Sequence, residues 1–332
     1  MSARPTVSVA LCTCNGARFI TEQINSIFSQ TVLADELVVF DDASSDDTVL
    51  RIQAAWQTAR AKHLEVTPIL RMHVNQQRQG IAGNFGRALL ACRGELIALS
   101  DQDDCWHPDR LRRGIARLQT EPKLLLLHGN ARLVDAEGRA LGSTLFDALG
   151  VTGAELSEIA AGNAFRVLLD RNLVTGAATV LRRSLLTQAL PIAPHWLHDE
   201  WLGVIAASMG ASAVEAEPLI DYRQHGGNQI GARKVTVVEA FKQATAARGD
   251  WHVSRLARAT ELVNRLVDLG NAVPGAALAQ ARDKAGHHGA RAALPKSRFL
   301  RVYPLMREWS TGRYQRFGRG VRGLFKDLLE AP

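Results

Sequence analysis

Between Val7 and Gln119 the chain alternates four times between a short apolar run of strand length and a longer stretch with helical spacing. The runs are Val7–Cys12, Glu36–Phe40, Val66–Val74 and Glu95–Leu99; the helical stretches lie near Ala17–Ser29, Asp46–Ala59, Ala82–Cys92 and Pro108–Gln119. Strands that return through helices pair in parallel, so the alternation predicts an α/β sheet with crossover helices. Pro68 interrupts the third run and weakens it. Beyond Lys123 the rhythm is irregular. Strands are expected near Leu124–Leu127 and Ala178–Arg182, with a long loop-rich stretch between them.

In open α/β sheets ligands bind beyond the carboxyl ends of the strands, so the loops after the four runs are the ones that matter. The first carries Thr13-Cys14-Asn15-Gly16 and the second Asp41-Asp42-Ala43-Ser44-Ser45-Asp46-Asp47-Thr48. Asp46 and Thr48 read as a cap for the next helix, whereas Asp41 and Asp42 are surplus to it. A carboxylate such as Asp42 can accept the imide proton of a uracil or thymine ring. The third loop, Gln79-Gly80-Ile81-Ala82-Gly83-Asn84-Phe85, offers an amide and helix-start N–H groups suited to a phosphate or ribose.

The fourth is the most pointed. Ser100-Asp101-Gln102-Asp103-Asp104-Cys105-Trp106 sets three carboxylates directly after Leu96-Ile97-Ala98-Leu99. Crowded carboxylates repel one another unless a divalent cation neutralises them. A solvated turn before a helix capped at His107-Pro108-Asp109 accounts for the same residues, and by themselves they divide evenly between the two readings.

At 332 residues and 46% hydrophobic content the chain can bury a large core, expected to be one domain of about 230 residues plus an appendage. No apolar run approaches the ~20 residues of a membrane-spanning helix. Val7–Cys12 is shorter than the ~7–15-residue apolar region of a secretory signal and reads as the first strand. Cys12, Cys14, Cys92 and Cys105 show no paired metal spacing, which suits reduced thiols in the cytoplasm.

Charge is unevenly placed. From Arg291 to Pro332 there are ten basic residues and three acids, a net +7 that equals the formal charge of the whole chain. The body is therefore balanced, and nothing points to nucleic acid. Helices are expected over Val235–Ala247, His252–Leu269 and Ala276–His287, then a basic group in which Tyr303, Met306, Trp309, Tyr314, Phe317, Leu324 and Phe325 interleave with arginines. That pattern suits either an anionic membrane surface or a helical face packed on the core or on a second subunit.

Val7-Ser8-Val9 through Asn15-Gly16, Asp41-Asp42-Ala43-Ser44, Ser100-Asp101-Gln102-Asp103-Asp104 and Trp106 together resemble the family 2 glycosyltransferases of the GT-A fold. Within that family the chain is similar to the rhamnosyltransferase-like branch of bacterial polysaccharide and O-antigen assembly. Thr175-Gly176-Ala177-Ala178, His198-Asp199-Glu200-Trp201-Leu202, Tyr222-Arg223-Gln224-His225-Gly226 and Asn228-Gln229-Ile230-Gly231 extend the likeness, which covers roughly Val7 to Ala232. Cys14 and Glu200 stand where relatives often carry an aromatic residue. The Gln-x-x-Arg-Trp motif of processive synthases is not found, which implies one sugar per acceptor visit.

The resemblance implies a Rossmann-like mixed sheet flanked by helices over residues 1–232 and a basic helical region over 233–332. It implies an inverting, metal-dependent transfer of one sugar from a nucleoside-diphosphate sugar, such as dTDP-rhamnose or a UDP-sugar, to a lipid-linked glycan or polysaccharide. Asp103, with Asp101, would hold Mg2+ or Mn2+ against the diphosphate, and His225 would complete the metal shell or touch the phosphate. Thr13, Asn15, Asp41, Asp42, Asn84, Asp101, Gln102 and Gly176 would bind the donor, and Asp199 would be the catalytic base, with His198 and Glu200 supporting. The expected place is the cytoplasm, peripheral on the inner face of the cell membrane. Two rivals are a sugar-nucleotide nucleotidyltransferase, for which Thr13-Cys14-Asn15-Gly16-Ala17-Arg18 is a poor glycine-rich basic loop, and a non-catalytic membrane or glycan-binding module, which needs none of Asp101, Asp103 and Asp199.

Overall fold

The computed structural model describes residues 4–62, 68–226 and 251–330, which fall into two compact units. The chain runs through β1 (Val7–Thr13), α1 (Ile20–Phe28), β2 (Glu36–Asp41), α2 (Thr48–Lys62), β3 (Ile69–Val74), α3 (Gly80–Ala91) and β4 (Leu96–Ser100). It continues through β5 (Cys105–Trp106), α4 (Arg110–Thr120), β6 (Leu126–Gly129), β7 (Arg132–Val134), β8 (Ala140–Thr144), α5 (Leu145–Leu149), α6 (Gly153–Ala160) and α7 (Ala164–Asp170). Then come β9 (Thr179–Arg182), α8 (Leu186–Ala189), α9 (His198–Ser208), β10 (Ser212–Glu215) and β11 (Ile220–Arg223).

In the first unit a seven-stranded sheet has the order β10-β6-β9-β4-β1-β2-β3. β3, β2, β1 and β4 are parallel, as is β10 with β6, while β9 runs antiparallel between β4 and β6. Every residue of β1, β2 and β4 is buried, as in parallel strands covered on both faces. Helix α1 packs Ile20, Ile24, Ile27 and Phe28 onto this sheet at helical spacing, and α4 does the same with Leu111, Ile115 and Leu118. Gly114 brings α4 close: a Cβ there would meet Val180 at 3.2 Å.

The alternation thus reads through, with two differences. The third strand begins at Ile69, beyond Pro68, because a ring nitrogen cannot donate to the ladder. The stretch between Leu127 and Ala178 is more ordered than a loop: its β7 and β8 join β5 and β11 in a second, four-stranded sheet, and α5 and α6 each start in a full capping box, Thr144 with Asp147 and Thr152 with Glu155.

The second unit comprises 165–171, 193–195 and the C-terminal helices α10 (Trp251–Asp268), α11 (Gly275–Ala292), α12 (Arg298–Ser310), α13 (Arg313–Phe317) and α14 (Val321–Leu329). The helix expected over Val235–Ala247 lies outside the described residues. A small apolar cluster of Leu294, Leu305 and Tyr314 is joined by an unusual amount of buried charge. Asp327, fully buried, accepts two bonds of 2.6 Å from the Arg291 guanidinium and one of 2.6 Å from the Tyr314 hydroxyl. Burial and the Asp327 carboxylate raise the Tyr314 phenol well above its ordinary value, so it stays a donor. No helix among the described residues is long and apolar enough to cross a membrane.

Removing one partner of a buried ion pair strands the other, so Asp327→Ala is expected to destabilise the second unit by about 3–5 kcal/mol. Thermal unfolding of the full-length protein, with Leu300→Ala at an exposed site as the comparison, measures it.

Candidate functional site

The loops beyond β1 and β2 are laced together before they meet any ligand. The Asn15 N–H donates to Ser44 Oγ at 2.8 Å, and Asn15 Oδ1 accepts from the Ser45 N–H at 2.8 Å. Asn15 and Ala43 both sit in the left-handed region, at φ 52° and 56°. Asn visits it with a local hydrogen bond as compensation, whereas Ala43 carries a cost of about 1–2 kcal/mol that the surrounding bonds must offset. Asp41 is fully buried and supplies several of them, accepting from Thr13 Oγ1, Ser44 Oγ and the Ser44 N–H at 2.6–2.8 Å.

Asp42 organises the third loop. Its Oδ1 accepts from the Gln79 N–H at 2.6 Å and from Asn75 Nδ2 at 2.9 Å, and its Oδ2 accepts from the Gly80 N–H at 2.9 Å. Two N–H groups at the start of α3, those of Gln79 and Gly80, are therefore spent on a carboxylate of the same chain. Asn84 is drawn into this network, donating to the Phe40 carbonyl and accepting from Asn75.

The acidic run after β4 divides into different environments. Gln102 folds back, accepting from the Cys14 N–H at 2.8 Å and donating to the Cys14 carbonyl at 3.2 Å; a Cβ on Gly16 would collide with its amide. The Asp101 carboxylate has no hydrogen-bond donor among the described residues. Burial, then Asp103 and Asp199, raise it to about 7. Asp103 Oδ2 lies 2.9 Å from His225 Nε2. Asp104 is turned inward and 1% exposed, with one oxygen accepting from the Arg223 N–H at 3.0 Å and the other without a partner among the described residues. Burial, Asp103 and Asp101 drive its carboxyl well above the usual range, so it is an internal acid rather than a surface ligand.

Two arginines answer this crowding. Arg110, 2% exposed, lies 3.6 Å over the Trp106 ring and donates to the Leu99 carbonyl; burial pulls it down to about 9 against the fields of Asp104 and Asp101. Arg223, within the polar run Tyr222-Arg223-Gln224-His225-Gly226, is itself 2% exposed. It donates to the Asp103 and Ala136 carbonyls at 2.8 and 3.0 Å and pairs with Glu22 at 2.7 Å. Five N–H donors in a rigid fork make that burial tolerable.

On the far wall, the Asp199 carboxylate at the start of α9 accepts from the Gly176 N–H at 2.9 Å and the Glu200 N–H at 2.7 Å. His198 stacks on Phe85 with ring centroids 3.7 Å apart and planes 7° apart. Neither of its ring nitrogens has a partner among the described residues, and burial lowers its pKa, so the ring is neutral.

All these walls enclose one cavity of about 730 Å³. Thr13, Asn15, Asp42, Asn84, Asp101, Gln102, Asp103, Gly176, Asp199 and His225 line it, whereas Asp41 does not: it is consumed in holding the first two loops. Residues 8–142 match the family model "Glycosyl transferase family 2". The chain is 28% identical over 243 residues to an uncharacterized glycosyltransferase of Nostoc sp., covering 72% of this chain and 71% of that one. It is 25% identical over 270 residues to the dTDP-rhamnosyl transferase RfbG of Shigella flexneri, covering 78% and 85%. The chain carries a family 2 glycosyltransferase domain.

Among solved structures, S. aureus TarS 1–349 in complex with UDP-GlcNAc superposes with a TM-score of 0.60 at 16% identity, over 97% of this chain and 88% of that one. The glycosyltransferase thus has a GT-A fold. Several lining residues escaped assignment from sequence: Arg78 is an exposed cation at the cavity, and Leu145, Leu149 and Tyr222 supply its apolar surface. For Leu145 and Leu149 the signal was present in the capping box at Thr144, which announces a helix within the supposed loop.

Gly176 is fixed by contact: a Cβ there would come 2.6 Å from His198 Nε2 and 3.6 Å from Asp199 Cβ. His198 cannot retreat because Phe85 lies flat against it. Gly176→Ala is therefore expected to cost about 1–3 kcal/mol of stability and to lower sugar transfer more than nucleotide binding. Melting temperature, isothermal titration with nucleoside diphosphates and transfer assays separate the three effects.

Proposed function

We propose that this glycosyltransferase inverts the anomeric centre of a pyrimidine nucleoside-diphosphate sugar, with Asp199 as base and Asp101, Asp103 and His225 as the divalent cation site. The observation that carries the reading is the convergence on one cavity of an acidic pair beside His225 and a separate carboxylate oriented by two backbone amides.

The donor set suits Mg2+ or Mn2+. Asp101 is a half-buried carboxylate without a donor among the described residues, which leaves both oxygens for a cation. Among the described residues, the only three such side chains with ligand atoms all within 4.8 Å of one another are His252, Asp327 and Glu330. There Arg291 and Tyr314 already occupy Asp327. Asp101, Asp103 and His225 are an open set, as expected when one or two carboxylates share a cation with substrate phosphates. A bound cation would neutralise charge on the departing diphosphate.

Asp199 does the proton work. Its two backbone donors leave lone pairs on the carboxylate for an acceptor hydroxyl. As the hydroxyl oxygen bonds to the anomeric carbon, its proton passes to Asp199 and the bond to the diphosphate breaks, with the electron pair leaving on the phosphate oxygen. Attack opposite the leaving group inverts the centre. Asp42 has three donors for about four acceptor positions, so one remains for the imide proton of uracil or thymine. A rhamnosyl donor is consistent with the likeness to RfbG, and a lipid-linked or polysaccharide acceptor, met at the inner face of the cell membrane, suits the same branch.

The deciding experiment combines binding with turnover. UDP and dTDP should raise the melting temperature more than GDP or CMP, and only with Mn2+ or Mg2+ present. Asp103→Ala should abolish that metal dependence while leaving the fold intact. Asp199→Asn keeps its shape but cannot take a proton, so donor binding should persist while transfer falls by ~100-fold or more. Near wild-type transfer by Asp199→Asn would place the base elsewhere, and metal-independent binding would remove the cation from the mechanism.

A further inference from the structure

Helix α12 is built inside out. Its buried stripe is Arg301, Leu305 and Glu308, while Phe299 is 92% exposed, Tyr303 77% and Leu300 65%, with Val302 and Met306 also exposed. Phe299, Val302, Tyr303 and Met306 fall on one face at helical spacing, the reverse of the polar face a solvated helix presents. The inversion is held from within. Arg301, fully buried, donates to the carbonyls of Pro295, Lys296, Asp327 and Glu330 at 2.7–3.0 Å. A second apolar stripe runs along α14, where Val321, Phe325 and Leu329 are each more than half exposed at i, i+4 and i+8.

The exposed charges of residues 291–330 share one sign, although Arg316 pairs with Asp283 at 3.2 Å. Lys296, Arg298, Arg307, Arg316, Arg319 and Arg322 are exposed. The acids of the same stretch are not: Glu308 faces His287, Asp327 faces Arg291 and Tyr314, and Glu330 faces His252, all buried. Folding has thus placed every acid of the basic tail inside, together with Arg291 and Arg301, and left six cations outside. Large exposed side chains in one row mark an interaction surface rather than an ordinary solvated face.

We propose that this face of the second unit docks on an anionic lipid bilayer, with Phe299, Leu300, Val302, Tyr303 and Met306 entering the interface and the surrounding arginines meeting the headgroups. Unlike charge favours this occupant, and a second copy of the chain would bring the same positive surface against itself. The inference stands apart from the donor reading, since none of these residues lines the cavity.

Co-sedimentation of the full-length protein tests it, with phosphatidylcholine vesicles and with vesicles containing phosphatidylglycerol. Binding is expected only to the anionic vesicles and is expected to weaken with salt. The double substitution Phe299→Ser and Tyr303→Ser should reduce it by ~tenfold or more, as should Arg298→Glu with Arg322→Glu, with melting temperature and donor hydrolysis unchanged. A full-length protein that stays in the supernatant with anionic vesicles at low salt overturns the proposal. So does a Phe299→Ser and Tyr303→Ser protein that still binds vesicles but changes from dimer to monomer in sedimentation velocity.

Discussion

Carboxylates crowded beyond the ends of buried strands set the terms for the first unit. Asp42, Asp101, Asp103, Asp104 and Asp199 gather where water is scarce, and like charges in such a place are tolerable only if each is answered differently. Asp42 and Asp199 are answered by backbone N–H groups, Asp103 by an imidazole, and Asp104 by remaining protonated. Arg110 lies behind the group as a fixed positive charge, and Arg223 ties the backbone of the acidic loop to α1 and to the Ala136 carbonyl. Asp101 is left without such an answer, and in the proposed function a cation supplies it.

Much of this was legible in the residues because both signals were strong. Strands buried on two faces must be nearly continuous apolar runs, so β1, β2 and β4 announced themselves and placed the loops that follow. What escaped was pairing over distance. Nothing local distinguishes Asp41, which laces two loops, from Asp42, which lines the cavity; they differ in which way a strand end points its side chain. Nor does a glycine-bearing helix start reveal that two of its amides, those of Gln79 and Gly80, are already committed to Asp42. The burial of Arg223 is not legible for a related reason, since a buried guanidinium needs partners from three separate segments, Glu22, Asp103 and Ala136, that only the fold brings together.

The short strands of the second sheet escaped for another reason. Cys105–Trp106 and Arg132–Val134 are too brief and too mixed in polarity to show a period, and the sheet exists through tertiary pairing with Ile220–Arg223. In the C-terminal unit the total of basic residues was visible, but the burial of all its acids was not. The aromatics also divided, with Tyr314 fully buried while Tyr303 stands out.

One reversed strand has a wider meaning. Because β9 runs antiparallel between β4 and β6, its beginning rather than its end meets the edge where the parallel strands finish. Gly176 therefore reaches the cavity on a segment far along the chain from the loops of β1 to β4, and carries Asp199 with it through a single hydrogen bond. The cavity is assembled from two lengths of polypeptide that can drift independently in sequence. Substitutions after Lys123 can remodel the wall of Gly176 and Asp199 without unsettling the loops of β1 to β4, so a reversal of chain direction lets two walls of one cavity change separately.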